Sequence, residues 1–273
     1  MEQNPIFSIR TAAFSYPGAE KPALDGVNLE IGQGEWLALV GANGSGKSTL
    51  AKICNALLTP TQGACFVMGL DSSVESNISS IRQSVALVFQ NPEDQIVASI
   101  VEEDVAFGPE NLGIPSDEIK KRVDRALSLT GLESYRRRGS YSLSGGQKQR
   151  LALAGALALE PKALLLDEST SMLDPEGRDS FLACLGELNN QGMTIVQITH
   201  RMEEAVQAGR IVVMASGRVV WDGLPTEFFD GEYLRWSFEE PPEIALYREL
   251  LTRSLVPPGT RPRVEELLSA LCL

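Results

Sequence analysis

Gly41-Ala-Asn-Gly-Ser-Gly-Lys-Ser-Thr49 meets every position of the phosphate-loop pattern Gly-x-x-x-x-Gly-Lys-[Ser/Thr]. The apolar run Trp36–Val40, which is short enough for a buried strand, comes just before it. Apolar residues recur at helical spacing from Leu50 to Leu58 just after it. Strand, Gly-rich turn and helix therefore come in the order that a phosphate loop requires. The stretch predicts that the chain binds a nucleotide.

Each residue type in this loop serves a separate part of phosphate binding. Glycines allow backbone angles that other residues avoid, so successive amide N–H groups can converge on phosphate oxygens at the positive end of the following helix. Lys47 would place its charge between the β- and γ-phosphates, and the Ser48 hydroxyl would ligate Mg²⁺. The other nucleotide-binding candidates in the loop are Gly41, Asn43, Gly44, Ser45, Gly46 and Thr49.

Length and composition are those of an ordinary folded protein. The chain has 273 residues, of which 43% are hydrophobic and 22% charged, so it can form one large lobed domain or two modest ones. Lys and Arg number 24 against 36 Asp and Glu, which leaves a net charge of −12. Such a surface would repel a polyphosphate backbone, so we expect no nucleic-acid partner.

Cysteine usage and hydropathy bear on the compartment. Cys54, Cys65, Cys184 and Cys272 are widely spaced in apolar contexts, which indicates reduced, buried thiols in a cytosolic protein. The first residues lack a secretory-signal pattern, and no run approaches the roughly 18 apolar residues that span a bilayer. Any membrane role is therefore expected to go through a partner.

Polar residues stand where two apolar strand patterns end. Ser84–Phe89 stops at Gln90, and Thr194–Thr199 stops at His200, the only histidine in the chain. Since α/β proteins bind ligands at the rim where strands end, Gln90 is a candidate contact to water or Mg²⁺. The same position makes His200 a candidate functional residue rather than a merely satisfied polar side chain.

A third strand pattern, Ala163–Leu166, ends in two adjacent carboxylates, Asp167 and Glu168. Side chains alternate across a strand, so the two need not face the same way, and one can serve a metal while the other serves water. Asp167 is the predicted partner of Mg²⁺, and Glu168 is the predicted general base.

Two further stretches are candidates for nucleotide contacts. Tyr16 lies in the turn-rich segment between two strand patterns, where it could stack on a base or pack as a strand aromatic. The signature segment, Leu143-Ser-Gly-Gly-Gln147, opens a helical pattern and offers a second set of phosphate-directed amides. Whether both helix starts act on one nucleotide is a question of geometry that these spacings leave open.

The remaining patterns outline the organisation of the chain. Alternating strands before the phosphate loop predict an antiparallel β layer, and helical patterns with Gly-Pro breakers predict a helical lobe over about residues 91–159. Beyond Gly231, two short amphipathic helices are too small for an independent domain. They pack either on the main body or on another subunit.

Taken in order, the phosphate loop, Gln90, the signature segment, Asp167-Glu168, Asp174 and His200 make the chain resemble an ATP-binding cassette ATPase over roughly residues 5–230. The resemblance implies an α/β fold of the P-loop NTPase type. Its parts would be a RecA-like mixed sheet core, an antiparallel β subdomain, a helical signature subdomain and a small C-terminal helical extension over residues 231–273.

The resemblance also implies roles. Tyr16 is similar to the adenine-stacking aromatic, Gln90 to the Q-loop glutamine and Asp174 to the D-loop aspartate. His200 resembles the switch histidine, which with Lys47 would hold the γ-phosphate as charge develops. Family members sandwich two ATP molecules at a dimer interface. The residues that would grip the γ-phosphate held by the opposite protomer are Ser144, Gly145, Gly146 and Gln147.

A narrower resemblance is carried by Gln90-Asn-Pro-Glu-Asp-Gln95, by Glu103-Asp-Val-Ala-Phe-Gly-Pro109 and by Asn111-Leu-Gly113. These stretches are similar to the ATPases of energy-coupling factor importers, which take up vitamins or transition-metal ions. The resemblance implies an ATP-hydrolysing subunit at the cytoplasmic face of the membrane. Its expected partners are a second ATPase protomer, a transmembrane coupling subunit and a substrate-specific membrane subunit.

Two alternatives remain at this point. The chain could serve another cassette importer that differs only in what docks near Gln90. It could also be a soluble cassette protein that acts on nucleic acid or ribosomes, although its net charge of −12 argues against that class.

Overall fold

Two β-sheets and a set of helices make up the part of the chain that the computed structural model describes, namely residues 5–257, 260, 262 and 264–271. The strands are β1 (Phe7–Phe14), β2 (Leu24–Ile31), β3 (Trp36–Val40), β4 (Gln62–Val67), β5 (Leu70–Asp71), β6 (Val85–Val88), β7 (Ala163–Asp167), β8 (Thr194–Ile198), β9 (Arg210–Ala215) and β10 (Arg218–Gly223). The helices are α1 (Lys47–Cys54), α2 (Glu75–Ser84), α3 (Val101–Asn111), α4 (Ser116–Leu129), α5 (Gly145–Ala158), α6 (Pro175–Asn190), α7 (Met202–Ala205), α8 (Pro225–Phe228), α9 (Pro242–Thr252) and α10 (Val264–Leu271).

The larger sheet positions the site. Its strand order is β10-β9-β3-β8-β7-β6, with β9 through β6 parallel and β10 antiparallel at one edge. Residues of β3, β6, β7 and β8 are buried throughout, because helices and the second sheet cover both faces. The carboxyl ends of β6, β7 and β8 therefore meet side by side at one rim.

The smaller sheet is antiparallel, in the order β2-β1-β4-β5. One core joins it to α1 and to one face of the larger sheet, with Phe7, Leu39 and Ile53 each at most 1% exposed. The predicted antiparallel layer is confirmed. The smaller sheet packs against α1, the helix that follows the phosphate loop, and so helps to fix the position of that loop.

The helical lobe consists of α3, α4 and α5, packed through buried residues such as Val105, Leu127 and Leu151. The Gly108-Pro109 pair was expected to interrupt the helical pattern, yet α3 runs through it to Asn111. Gly108 permits a close contact, since a Cβ there would lie 2.8 Å from Leu159 Cδ2 just beyond α5. The lobe and the core sheet share one hydrophobic cluster, so the boundaries 91–159 and 230/231 stay predictions.

The C-terminal helices form a small cluster of their own. Tyr247, Leu250 and Leu267 are buried together, while Ile244 belongs to the main core, so the extension is anchored to the body at one end of α9. Cys272 and the Pro258-Gly259 pair lie outside the described residues. Within the described part of the chain, every helix is too short or too polar to cross a membrane.

Candidate functional site

The phosphate loop connects the end of β3 to α1 in a conformation that its glycines permit. Gly46, with φ of +104°, lies so close to the backbone that an added Cβ would be 2.4 Å from Ala23 O. The first hydrogen bond of the helical ladder runs from Leu50 N–H to Gly46 O, and helix geometry leaves the preceding amides without helical acceptors. These amides form an anion-binding cradle at the helix N-terminus.

Side chains complete the cradle. Lys47 folds back over the loop, and its Nζ donates to Gly41 O at 2.8 Å and to Ala42 O at 3.0 Å. Burial lowers the pKa of Lys47, whereas the nearby Glu168 and Asp167 carboxylates oppose that shift. A bound polyphosphate would add negative charge and favour the protonated lysine further.

Asp167, at the end of β7, faces the phosphate loop. The Ser48 hydroxyl donates to Asp167 Oδ1 at 3.0 Å. Burial raises the pKa of this carboxyl, and the hydrogen bond from Ser48 counteracts the shift. The structure thus brings together Ser48 and Asp167, two of the three residues predicted as Mg²⁺ partners, while the third, Gln90, contacts Glu168.

Glu168 faces elsewhere, which the alternation of side chains along a strand allows. Its carboxylate accepts a hydrogen bond from Gln90 Nε2 at 2.9 Å and lies 2.5 Å from His200 Nε2. The three side chains come from the ends of β6, β7 and β8, which are neighbours in the sheet. Glu168 has a left-handed backbone, with φ of +50°, and its N–H donates to Ile198 O. Positive φ is uncommon outside glycine and is kept where the surrounding contacts impose it.

Oxygen donors at this rim fit magnesium. A hydroxyl from Ser48, a carboxylate from Asp167 and the amide oxygen of Gln90 are hard ligands of the kind that Mg²⁺ prefers. Among the described residues, no group of three or more His, Cys, Asp or Glu could hold a metal ion by itself.

Tyr16 lies beside the phosphate-loop helix. Its hydroxyl is 3.2 Å from Thr49 Oγ1, and its ring meets the edge of Phe14 with centroids 4.9 Å apart. The side chain is 40% exposed, so the ring is packed on one side and accessible on the other. Both interpretations of this aromatic, packing and base stacking, are compatible with that placement.

The signature segment forms the start of α5. Ser144 caps the helix, accepting from Gln147 N–H while the Gln147 side chain accepts from Ser144 N–H. Gly145 and Gly146 lie against Met172 and Leu173, where a Cβ on Gly146 would be 3.1 Å from Leu173 Cδ2. These contacts hold the segment on the loop after Glu168. The described hydrogen bonds of Ser144 do not connect it to the phosphate loop of its own chain.

Asp174 ends that loop. Its Oδ1 accepts from Gly177 N–H at 3.0 Å, which makes it the N-cap of α6, with Pro175 in the first turn. The cap fixes where the loop ends and α6 begins.

Sequence reasoning missed Glu204. This carboxylate is only 1% exposed and accepts hydrogen bonds from Thr170, Gln197 and Thr199, directly behind the rim. Acidic residues are ordinary in the first turn of a helix, so Met202-Glu-Glu-Ala205 gives no signal that separates the buried Glu204 from the exposed Glu203.

Comparison with known proteins agrees with this geometry. The family described as ABC transporter matches residues 24–171. The energy-coupling factor transporter ATP-binding protein EcfA1 of Symbiobacterium thermophilum is 53% identical over 253 residues, which are 92% of this chain and 88% of that protein.

Two solved structures are similar in fold and sequence. The cbiO1 protein of Clostridium perfringens, described as part of the ABC transporter complex cbiONQ, has a TM-score of 0.78 and 35% identity, covering 92% of this chain and 96% of that one. The ATP-binding cassette MJ0796, solved as a dimer in a post-hydrolysis state with ADP and Pi, has a TM-score of 0.74 and 30% identity, covering 80% of this chain and 98% of that one. Motifs, strand order and relatives agree, and the chain belongs to the ABC transporter family.

Proposed function

We propose that this chain is the ATP-hydrolysing subunit of an energy-coupling factor importer that takes up a vitamin or a transition-metal ion. One observation carries the proposal. A phosphate-loop cradle and a carboxylate held between Gln90 and His200 stand at one rim of a cassette whose relatives include an energy-coupling factor ATP-binding protein. The residues supply what hydrolysis of a triphosphate requires, namely binding, charge stabilisation and a base.

Hydrolysis would use these side chains in distinct roles. Glu168 would accept a proton from water as the water oxygen bonds to the γ-phosphorus and the bridging oxygen leaves with ADP. Lys47 and His200 would hold the γ-phosphate while charge develops on it, and Gln90 would orient the water. Tyr16 would stack on adenine. Mg²⁺, when bound by Ser48 and Gln90 with Asp167 behind Ser48, would neutralise charge on the β- and γ-phosphates.

Each ATP would lie between two protomers. The cradle of one chain would bind the triphosphate, and Ser144 to Gln147 of the other would contact its γ-phosphate through the start of α5. The local hydrogen bonds of Ser144 and the dimeric state of the similar cassette MJ0796 support this arrangement. The second protomer is an identical chain or a paralogue.

This arrangement predicts that Ser144→Arg separates binding from hydrolysis. ATP should still bind the phosphate loop with little change in affinity, whereas hydrolysis in the assembled protein should fall about 10²-fold, as when a transition-state donor is removed. Fluorescent-nucleotide binding and phosphate release measure the two effects. Ser142→Arg, two residues away and exposed, is the matched control. Parallel losses of binding and hydrolysis would show that Ser144 acts on the nucleotide of its own chain.

The membrane partner would dock on a groove beside Gln90. The groove has a volume of about 300 Å³ and runs between the helical lobe and the core sheet. Its lining includes Val97 and Phe107, which are 61% and 46% exposed. Large exposed apolar side chains at a concave surface favour a protein partner. Movement of the helical lobe on hydrolysis would move the docked subunit, and the chain would therefore work at the cytoplasmic face of the membrane.

The C-terminal extension would join the two ATPase protomers. Leu246, Leu268 and Leu271 are 47%, 57% and 43% exposed, so the two short helices present apolar surface beyond their own cluster. An apolar face of this kind favours association with a second subunit.

Purifying the tagged chain from host membranes in mild detergent tests the proposed function directly. We expect mass spectrometry to find a second ATPase, a membrane coupling protein and a small substrate-specific membrane protein. Recovery with an extracellular substrate-binding protein and a permease pair would instead assign another type of importer. Recovery with ribosomes or nucleic acid would assign the soluble class. A soluble-tag preparation without the chain is the control for adventitious membrane proteins.

A further inference from the structure

A buried carboxylate lies directly behind the two loops that carry Glu168 and His200. Glu204, on the four-residue helix α7, is 1% exposed. Its Oε1 accepts from the Thr170 hydroxyl at 2.7 Å, and its Oε2 accepts from the Thr199 hydroxyl at 2.7 Å and from Gln197 Nε2 at 3.0 Å. Burying a carboxylate is unfavourable unless it is hydrogen bonded, and here each oxygen has a donor.

The contact with Thr170 fixes the loop that presents Glu168. Thr170 is two residues beyond Glu168 and is itself buried. The loop closes on itself through hydrogen bonds from Ser171 N–H to Glu168 O and from Leu173 N–H to Thr170 O. Glu168 adopts the left-handed region within it, a conformation that persists only where surrounding contacts impose it. The hydrogen bond between Thr170 and Glu204 ties this loop to the core beside Glu168, and Leu173 anchors its far end in the hydrophobic cluster.

The contact with Thr199 fixes the loop that presents His200. Thr199 immediately precedes the histidine, and its Oγ1 accepts from Arg201 N–H at 3.0 Å. Because that hydroxyl oxygen accepts from the backbone, its proton is available for Glu204 Oε2. One carboxylate therefore holds the residue before His200 and the residue two beyond Glu168.

The far side of the network is equally constrained. Trp36 Nε1, which can only donate, bonds to Gln197 Oε1 at 3.1 Å, so the amide nitrogen of Gln197 must face Glu204. Arg178 of α6 places its Nε 3.7 Å from Glu204 Oε1 and offsets the buried charge. The carboxylate thus has fixed neighbours in β8, in α6 and in both loops.

We propose that Glu204 is a positioning residue for ATP hydrolysis, and that its two carboxylate oxygens set the distance and orientation between Glu168 and His200. The inference rests on the proposed function. It predicts that the length of this side chain matters more than its charge, because a planar polar group at the end of two methylenes is needed to reach both Thr170 and Thr199.

Glu204→Asp and Glu204→Gln separate length from charge. The Asp variant keeps the charge but is one methylene too short to reach both loops, and we expect kcat to fall about 10- to 10²-fold, as for a misplacement of about 1 Å at a reacting group. KM for ATP should stay within about twofold, since the phosphate loop is untouched. The Gln variant keeps the reach and should retain more activity than Asp. Glu203→Asp, exposed on the same helix, is the matched control.

Steady-state kinetics gives kcat and KM for ATP of each variant, and thermal unfolding shows whether the variant is folded. An Asp variant that keeps the parental kcat would overturn the proposal. A Gln variant that is less active than the Asp variant would also overturn it, because that result would mean that the buried negative charge matters more than the length of the side chain. If either Glu204 variant fails to fold, Thr170→Val tests the same contact, because it removes only the hydroxyl that donates to Glu204. This variant should likewise lower kcat at unchanged KM. A parental kcat in Thr170→Val would overturn the proposal. Absence of hydrolysis in the parental protein would reject the proposed function itself.

Discussion

Replacing Glu168 with Gln should lower the rate of ATP hydrolysis by about 10²- to 10⁴-fold, the usual effect of losing a positioned base. The amide keeps the size of the carboxylate but cannot take the proton of the attacking water. Affinity for ATP should change little, because the described side-chain contacts of Glu168 are with Gln90 and His200 rather than with the phosphate loop. Phosphate release at saturating ATP and direct binding of nucleotide measure the two quantities.

The control for this variant is Glu187→Gln, the same change at an exposed position of α6. It should hydrolyse ATP at the parental rate. A second consequence of the Gln variant is a longer-lived ATP-bound dimer, observable as a shift in size-exclusion chromatography with Mg-ATP. Parental turnover in Glu168→Gln would mean that another group is the base.

Replacing Gly46 with Ala should lower the free energy of unfolding by about 3–5 kcal/mol. Backbone strain and steric overlap both contribute to this loss. The position has φ of +104°, and its new methyl group would lie 2.4 Å from Ala23 O and 2.8 Å from Leu24 Cδ2. Relief would require movement of the loop away from β2, which would also displace the amides of the cradle. The midpoint of thermal unfolding should fall by about 5–15 °C, and ATP should no longer raise it.

Gly44→Ala is the matched control within the same loop. Gly44 also has a positive φ, of +78°, but nothing lies within 4 Å of an added Cβ. Its cost should be limited to backbone strain, about 1 kcal/mol. Equal unfolding midpoints for the two variants would show that the contact with Ala23 does not constrain the loop.

The position of the site residues at the rim of the sheet could be predicted from the sequence, because polar functional side chains directly follow apolar strand patterns. Gln90, Asp167 and His200 each follow an apolar run, and a buried strand that stops in a polar residue places it at the edge. Strand order could not be derived in that way. The contacts among Gln90, Glu168 and His200 depend on β6, β7 and β8 being neighbours, which is a property of the folded topology.

Among the helices that sequence reasoning missed, the two longest, α6 and α2, were missed for different reasons. In α6, Phe181, Leu185 and Leu188 are buried at helical spacing behind an Asp-Pro start, so the signal was present in the sequence. In α2, Ile81 is the one buried residue and Ile78 is the only other apolar residue, so two isoleucines in ten residues give too short a pattern to identify a helix. Such a helix depends on its tertiary contact rather than on amphipathicity.

Glu204 shows a further limit of reading one sequence. Its partners Thr170, Gln197 and Thr199 lie on separate segments, and no spacing rule connects them. Likewise, the relation between the signature segment and a phosphate loop on another chain is absent from any single-chain pattern. Both required coordinates or a family resemblance.

The contacts of Glu168 with Gln90 and His200 have a consequence for when ATP can be hydrolysed. A carboxylate that already engages an amide and an imidazole of its own chain is occupied, and a solitary subunit would leave the triphosphate uncleaved. Glu168 would become free to accept a proton from water only when the γ-phosphate of bound ATP competes for the imidazole of His200. These two contacts would therefore have to rearrange before Glu168 could take a proton from water, which adds a conformational step before cleavage.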